Sequence, residues 1–424
     1  MHSTGTSPEN NQIPSHPVRS LWRNRDFLLL WSGQTVSTLG TNISALALPL
    51  LVLALTHSPA LAGFLAATRQ VPYLLVSLPA GSLVDRWDRK KTMIYCDLLR
   101  WLALGTVPLA FVLGHLTLIH LYLVAFIEGT AYVLFTLSQI SALPQVVDRS
   151  HLPQAYALDT TTEYLGTLLG PGLSAFIIGL VPIITIGAIL AYIVDSLSYL
   201  ASVFTLLGMR VSFQVERVKS RQPTSLLGGI AEGLRFLWKQ HDLRLLAGLT
   251  AIVNFLLSSV DLALIVLAQS RLHLSVQFIG LILSAGGIGG LLSSFIAPWL
   301  HKHFQYGPIL LGSVIAWCGA TALLAFAPWP ALLLVGKFLI SFTWPGYGVA
   351  VVSYRLLLTP DDLQGRVNSA FRNVTYGCEA LGSACGGIVL ALIGAQAMFG
   401  CIAVGFAGCI LFTILTGLTG LRKG

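Results

Sequence analysis

Long apolar runs separated by short polar gaps dominate this chain. A helix needs about 20 mainly apolar residues to cross about 30 Å of hydrocarbon, and the pattern meets that requirement twelve times. The predicted spans fall near 27–55, 60–83, 92–113, 119–143, 154–180 and 184–208, then near 245–270, 277–300, 307–328, 331–354, 366–394 and 397–419. A backbone in lipid must satisfy its own hydrogen bonds, so the spans are helices. The longest polar stretch, Arg210 to Arg244, parts six spans from six. Within it Leu226, Leu227, Ile230, Leu234, Leu237 and Trp238 recur at helical spacing beside Arg235 and Lys239. That pattern predicts an amphipathic helix, lying on the inner membrane face or packed on the bundle as a linker. The first residues are Ser-, Pro- and Asn-rich with no apolar core, which predicts a disordered tail and no cleavable signal. The expected organisation is a tail at 1–25, a six-helix half at 26–209, a linker at 210–244 and a second half at 245–420.

Composition sharpens the class. The chain has 424 residues, 55% hydrophobic and 10% charged, with a mean hydropathy of +0.77. A soluble domain carries about 25% charged residues. Less than half that charge excludes a soluble enzyme and a single anchor with a soluble head. The net charge of +8 would suggest nucleic acid in a soluble protein. Here the placement of the basic residues matters more. Arg271 alone lies on one side and Arg69, Arg100 and Lys337 lie within spans, while every other Lys and Arg belongs to the opposite face. Basic loops stay in the cytosol, so both termini are cytosolic.

Six cysteines (Cys96, Cys318, Cys378, Cys385, Cys401, Cys409) fall in apolar runs without the paired loop spacing of a disulfide framework or zinc knuckle, and are expected to be small buried hydrophobes. His301 and His303 are read as solvated loop histidines, and no metal site is expected. There is no Gly-x-x-x-x-Gly-Lys-Ser/Thr loop and no ATPase-sized soluble domain, so ATP does not drive this chain. Gly286-Gly287-Ile288-Gly289-Gly290 lacks the lysine and is expected to serve helix packing. No nucleophile, base and acid stand together, so no enzyme, cofactor or nucleic-acid partner is expected.

The halves echo each other. Thr56-His57-Ser58 with Gly63 is matched by Leu272-His273-Leu274-Ser275 with Gly280, and Leu152 and Gly166 are matched by Leu363 and Gly377 at a shared offset. Between spans 2 and 3 stands Gly81-Ser82-Leu83-Val84-Asp85-Arg86-Trp87-Asp88-Arg89-Lys90-Lys91. Span 5 carries Gly166-Thr167-Leu168-Leu169-Gly170-Pro171-Gly172. Together with Leu143-Pro144-Gln145 and Gly365-Arg366-Val367-Asn368, these resemble the major facilitator superfamily, in its macrolide-efflux and enterobactin-exporter branch of drug:proton antiporters. The resemblance implies an all-α polytopic protein of two parallel six-helix repeats. It implies that Gly81, Asp85, Arg86, Asp88, Arg89 and Lys90 form the cytosolic latch between halves. It also implies that Gly166, Gly170, Pro171 and Gly172 form the antiporter motif. The chain departs from the generic pattern at Asp88, where glycine is usual, and in the 8–9 loop, which has lost the latch pattern. It departs again in span 4, where many drug:proton antiporters place an arginine and this chain has Glu128.

Spans 1, 4, 7 and 10 line the cavity in this fold, and each carries a polar stripe at spacings of three and four. The cavity candidates are Gln34, Thr38 and Asn42; Tyr132 (with Glu128 and Thr136); Asn254 and Ser258; and Lys337, Ser341 and Trp344. Ionised groups at bilayer depth cost about 3 kcal/mol or more, so they face water, a partner or a pathway. The proton-coupling candidates are Glu128, Asp261, Asp195, Glu163, Glu379 and Arg69, led by Glu128 with Asp261 in reserve. The functional expectation is proton-coupled export of an amphipathic organic compound, macrolide-like or siderophore-like, from a bacterial inner membrane. An uptake symporter for a small metabolite and a non-transporting membrane sensor are the alternatives.

Overall fold

The computed structural model describes residues 21–84, 87–210, 226–360 and 363–421, and among them every regular element is helical. The chain enters through Asn24, whose side chain accepts from the Phe27 amide at 3.1 Å and caps α1 (Arg25–Thr56). There follow α2 (Pro59–Val84), α3 (Arg89–Val112), α4 (Leu118–Val146), α5 (Leu152–Gly179) and α6 (Ile184–Gly208). The linker region holds α7 (Leu226–Lys239). The second half comprises α8 (His241–Leu257), α9 (Val260–Ser270), α10 (Val276–His303), α11 (Tyr306–Ala325), α12 (Pro330–Leu358) and α13 (Gln364–Leu415). Nine stretches among the described residues are long and apolar enough to cross a membrane, and the helices follow the order of the expected spans. Of the tail expected at 1–25, residues 1–20 lie outside the described residues, while Leu21–Arg23 form a short 3-10 turn and α1 already starts at Arg25.

Three spans differ from expectation. Span 7 is not continuous: α8 gives way to a turn at Ser258 and Ser259 before α9 begins. The Ser258 hydroxyl donates to the Phe255 carbonyl at 2.9 Å, a local bond of the kind that competes with the helix ladder. Gly382 and Gly386 of α13 fit against this break. A Cβ at Gly382 would overlap the Phe255 carbonyl oxygen, and one at Gly386 would overlap the Ser259 side chain. Spans 11 and 12 run together as α13, bent at Gly394 with φ 77° and ψ 169°, a conformation open essentially to glycine alone.

Within the first half, α1 packs on α5 and α6, α4 on α2 and α3, and α3 on α6; in the second, α13 packs on α8 and α11, and α12 on α10 and α11. The halves meet along two seams, α2 with α13 and α5 with α10. Close approaches lie at the end away from the chain termini and continue toward the middle of the α5–α10 seam, where a Cβ at Gly287 would overlap Leu168 Cα. A Cβ at Gly63 would be 2.7 Å from Gly387 Cα, and one at Gly280 would be 2.6 Å from the Pro171 carbonyl oxygen.

The amphipathic helix α7 docks on the start of α13. Leu237 is fully buried, Glu232 pairs with Arg366, and Gly233 lies against the Arg366 backbone. Leu234, Arg235, Trp238 and Lys239 remain exposed, so one face packs on the bundle while the other stays available. The cysteine expectation holds in part. All six are free thiols, Cys96 and Cys409 are buried, but Cys385 and Cys401 are exposed, because their positions fall on outward faces of α13.

Candidate transport site

Three cavities share lining residues: the first joins the first half to Tyr376 of α13, and the other two lie within the second half. The first, about 330 Å³, is lined by Thr38 and Asn42 of α1, Arg69 and Tyr73 of α2, Tyr132 of α4, Glu163 of α5 and Tyr376 of α13, among others. Tyr376 also lines a second cavity of about 440 Å³, with Asn254, Trp344, Arg372 and Glu379. Asn254, Trp344 and Glu379 continue into a third of about 210 Å³, with Ser258, Asp261, Lys337 and Ser341. Eight of the nine expected cavity residues thus line these spaces. The exception is Gln34, which is 8% exposed and stands one turn nearer the start of α1, outside the lining of all three cavities. The lining also extends beyond spans 1, 4, 7 and 10, because the two seams bring in α2, α5 and α13.

Behind the first cavity lies a charge network within the first half. Arg69 Nε donates to Glu128 Oε2 at 2.5 Å and Arg69 Nη2 to Oε1 at 2.9 Å. Arg100 Nη2 donates to Glu128 Oε1 at 3.3 Å, and Arg100 Nη1 stands 3.6 Å from Asp97 Oδ1. The Arg100 guanidinium sits 3.9 Å over the Tyr199 ring, and the Tyr199 hydroxyl shares a 2.7 Å hydrogen bond with the Thr41 hydroxyl. Glu128 therefore ties α2, α3 and α4 together. It does not look into the main cavity as its spacing with Tyr132 suggested: it is 6% exposed, and Arg69 forms the wall in front of it. The fork geometry of arginine suits a carboxylate held at two points.

Asp195 is 2% exposed and accepts from the Ser198 hydroxyl at 3.4 Å. It faces a small space shared with Arg69, Glu128 and Tyr192. Asp261 and Lys337 pair at 2.5 Å across α9 and α12. Lys337 is therefore not a free cation awaiting an anionic group. Glu379 accepts from Gln70 Nε2 at 2.8 Å, a bond that joins α13 to α2. Glu163 projects from α5 into the first cavity.

The glycine motif of α5 works as a double seat. A Cβ at Gly170 would overlap Asn42 Cβ, and one at Gly166 would stand 2.7 Å from Asn42 Nδ2. Small residues four apart thus let α1 approach closely. Pro171 and Gly172 face α10, where Gly172 meets Ser284 and the Pro171 carbonyl meets Gly280. In the 2–3 loop, Asp88 caps α3 by accepting from the Lys91 amide at 3.2 Å. Arg89 Nη1 donates to the Ser141 carbonyl at 2.9 Å and Lys90 Nζ to the Met209 carbonyl at 2.7 Å. These contacts stay inside the first half rather than crossing between halves. Gly81 lies in α2, while Asp85 and Arg86 lie outside the described residues. His301 is not a solvated loop histidine: it ends α10 half-buried, with Nε2 3.1 Å from the Gly346 carbonyl. Among the described residues no three His, Cys, Asp or Glu gather in a metal-binding group.

Sequence reasoning passed over Gln70, Tyr73, Arg372 and Tyr376. For Gln70, Tyr73 and Tyr376 the signal was a polar or aromatic residue at mid-depth in spans 2 and 11, helices not expected to line the cavity; Arg372 stands nearer the start of α13 and belongs with the basic face.

A polytopic helical bundle with a polar, charge-bearing cavity between its halves defines a membrane transporter, and the comparisons agree. The family model described as "Transmembrane secretion effector" matches residues 19–421, and the chain belongs to that family of major facilitator transporters. It is thus a multi-pass membrane transporter and not an enzyme. Its relatives include the multidrug efflux pump Tap of Mycolicibacterium fortuitum, 26% identical, with 93% of this chain and 96% of that protein covered. The enterobactin exporter EntS of Citrobacter koseri is 25% identical over 84% of this chain and 83% of its own length. Its bacterial efflux relatives place the chain in the inner membrane. Among solved structures, the nucleoside transporter NupG superposes with a TM-score of 0.72 at 14% identity, covering 94% of this chain and 100% of that one. A bacterial homologue of ferroportin in an inward-facing state superposes with a TM-score of 0.72 at 16% identity, covering 94% and 99%.

Proposed function

We propose that this protein exports an amphipathic organic compound in exchange for protons, by alternating access of the central cavity. The rocking bodies are residues 26–209 and 245–420, joined by the connection at 210–244. The seams at α2–α13 and α5–α10 act as the bearings. Relatives that are named as a multidrug pump and an enterobactin exporter support export, as does the Gly-Pro motif of α5. A latch role for Asp85 and Arg86 rests on the family resemblance.

One observation carries the coupling: the cavity-wall arginine Arg69 is neutralised by Glu128 directly behind it. A proton on Glu128 removes the anion from Arg69 and from Arg100 together. Removing one partner of a buried ion pair costs about 3–5 kcal/mol. That is enough to bias a carrier whose two forms differ by a few kcal/mol. Proton uptake from outside therefore changes both the charge of the cavity wall and the bracing of three helices. Proton release inside restores them for the next substrate.

Everted membrane vesicles test the reading. Respiration acidifies their lumen, so an antiporter accumulates substrate and a proton uncoupler releases it. An uptake symporter would leave the lumen empty. A sensor would show no substrate-dependent proton flux.

A further inference from the structure

The cations around the cavities differ in how far they are already satisfied. Arg69 is held at two points by Glu128, Arg100 bonds the same carboxylate, and Lys337 is paired with Asp261. Arg355, in the last turn of α12, and Arg372, near the start of α13, are different. Both line the second cavity. Among the described residues neither side chain has a carboxylate or hydrogen-bond partner. Arg355 is nevertheless only 9% exposed, and a guanidinium buried that far is ordinarily paired with an anion.

What each arginine does have is an aromatic ring. The Arg355 guanidinium lies over Phe371 at 4.8 Å, and that of Arg372 lies over Tyr376 at 5.3 Å. A ring engages the face of a guanidinium and leaves its N–H edge available to grip two oxygens at once. Asn368 stands one turn before Arg372 on the same side of α13 and lines the same cavity, adding an amide donor. Phe371, Val351 and Val352 supply an apolar wall beside these donors. Glu379, the acid of this cavity, lies about 10 Å further along α13 than Arg372 at 1.5 Å per residue, and it is held by Gln70. In the expected orientation a compound arriving from the cytosol meets the arginines before it meets that acid.

We infer that Arg355 and Arg372 form an entry seat for an acidic group, and that the substrate is an amphipathic compound bearing a carboxylate or phosphate. The two guanidinium edges and Asn368 grip the acidic group, while the apolar body rests on Phe371, Val351 and Val352. This rests on the export reading above and names the class of compound.

Three fluorescent probes sharing one ring system test it: dansylglycine, dansylamide and dansylcadaverine, which are anionic, neutral and cationic near neutral pH. Binding to the purified full chain is read by dansyl fluorescence, and uptake is read in everted vesicles. Dansylglycine should bind about tenfold or more tighter than dansylamide, with dansylcadaverine weakest. Arg355→Gln and Arg372→Gln should each shrink the anion-to-neutral ratio several-fold, while dansylamide, which lacks the acidic group, binds nearly as before and so reports that the fold is kept. Should Arg355→Gln fail to fold, the wild-type ratio and the more exposed Arg372→Gln still decide. Dansylglycine no tighter than dansylcadaverine in the wild type, or a ratio unmoved in the Gln variants, would overturn the inference while leaving export intact. Dansylglycine that binds as expected yet never accumulates in respiring vesicles, together with no proton flux, would instead overturn the export reading.

Discussion

Gly63 of α2 and Gly387 of α13 meet backbone to backbone, so that a Cβ on Gly63 would stand 2.6 Å from the Ser383 carbonyl oxygen and 2.7 Å from Gly387 Cα. This contact joins the two halves at the end away from the termini. In the expected orientation, with the basic face in the cytosol, that end is the outer one. A transporter must part this seam once per cycle. Gly63→Leu should hold the seam open and shift the resting population away from the closed form. Pulsed EPR between labels at positions 57 and 393 should show a longer distance than in the wild type. An unchanged distribution would mean that the contact is incidental to gating.

The seat of α1 on α5 gives a second expectation. At Gly170 the obstacle is the body of Asn42, including its backbone, whereas at Gly166 it is largely the mobile end of the same side chain. Gly170→Val should therefore destabilise the protein by about 1–3 kcal/mol or more, the usual cost of overpacking, and Gly166→Ala should cost much less. Thermal unfolding in detergent, followed by size-exclusion fluorescence, ranks the two. The reverse order would remove the seat assignment.

How much of this was legible in the sequence follows from range. Helix periodicity and positive-face bias are local properties, so the helices and their order could be read directly. The motif of Gly166 and Gly170 was also legible, but its partner Asn42 was not, because helix pairing is set by the tertiary bundle. The same holds for Glu128. Its depth could be counted along α4, yet its partners Arg69 and Arg100 lie on α2 and α3. What looked like a cavity-facing acid is a braced one. The break at Ser258 was missed because hydropathy does not sense a two-residue turn, and Gly382 and Gly386, which accommodate it, lie far along the chain on α13.

The ion pair of Asp261 and Lys337 predicts a recoverable defect. The Asp261 side chain is 57% exposed, so the pair contributes at most about 1 kcal/mol to stability. Each single reversal, Asp261→Lys or Lys337→Asp, sets like charges side by side on α9 and α12 and should slow transport. The double reversal should regain most of the rate, measured as initial uptake in everted vesicles. A double mutant no better than the worse single would show that the residues act separately.

Orientation is testable without any substrate. Reporter fusions after Arg23, within 215–224 and after Arg422 should all report the cytosol, as the distribution of basic residues requires. Export of any one of the three would overturn the twelve-span arrangement and reverse the assignment of the closed seam.

The central claim is that Glu128 couples protons to export through Arg69 and Arg100. Glu128→Gln keeps the shape of the side chain and removes its charge, as a permanent proton would. The decisive measurement sets pH-gradient-driven accumulation beside equilibrium exchange in proteoliposomes containing the same variant. The account predicts that Glu128→Gln loses uphill accumulation while substrate binding and downhill exchange survive, because exchange needs no net proton movement. If Glu128→Gln still concentrates substrate against its gradient, Glu128 only braces α2, α3 and α4, and the coupling proton rides elsewhere.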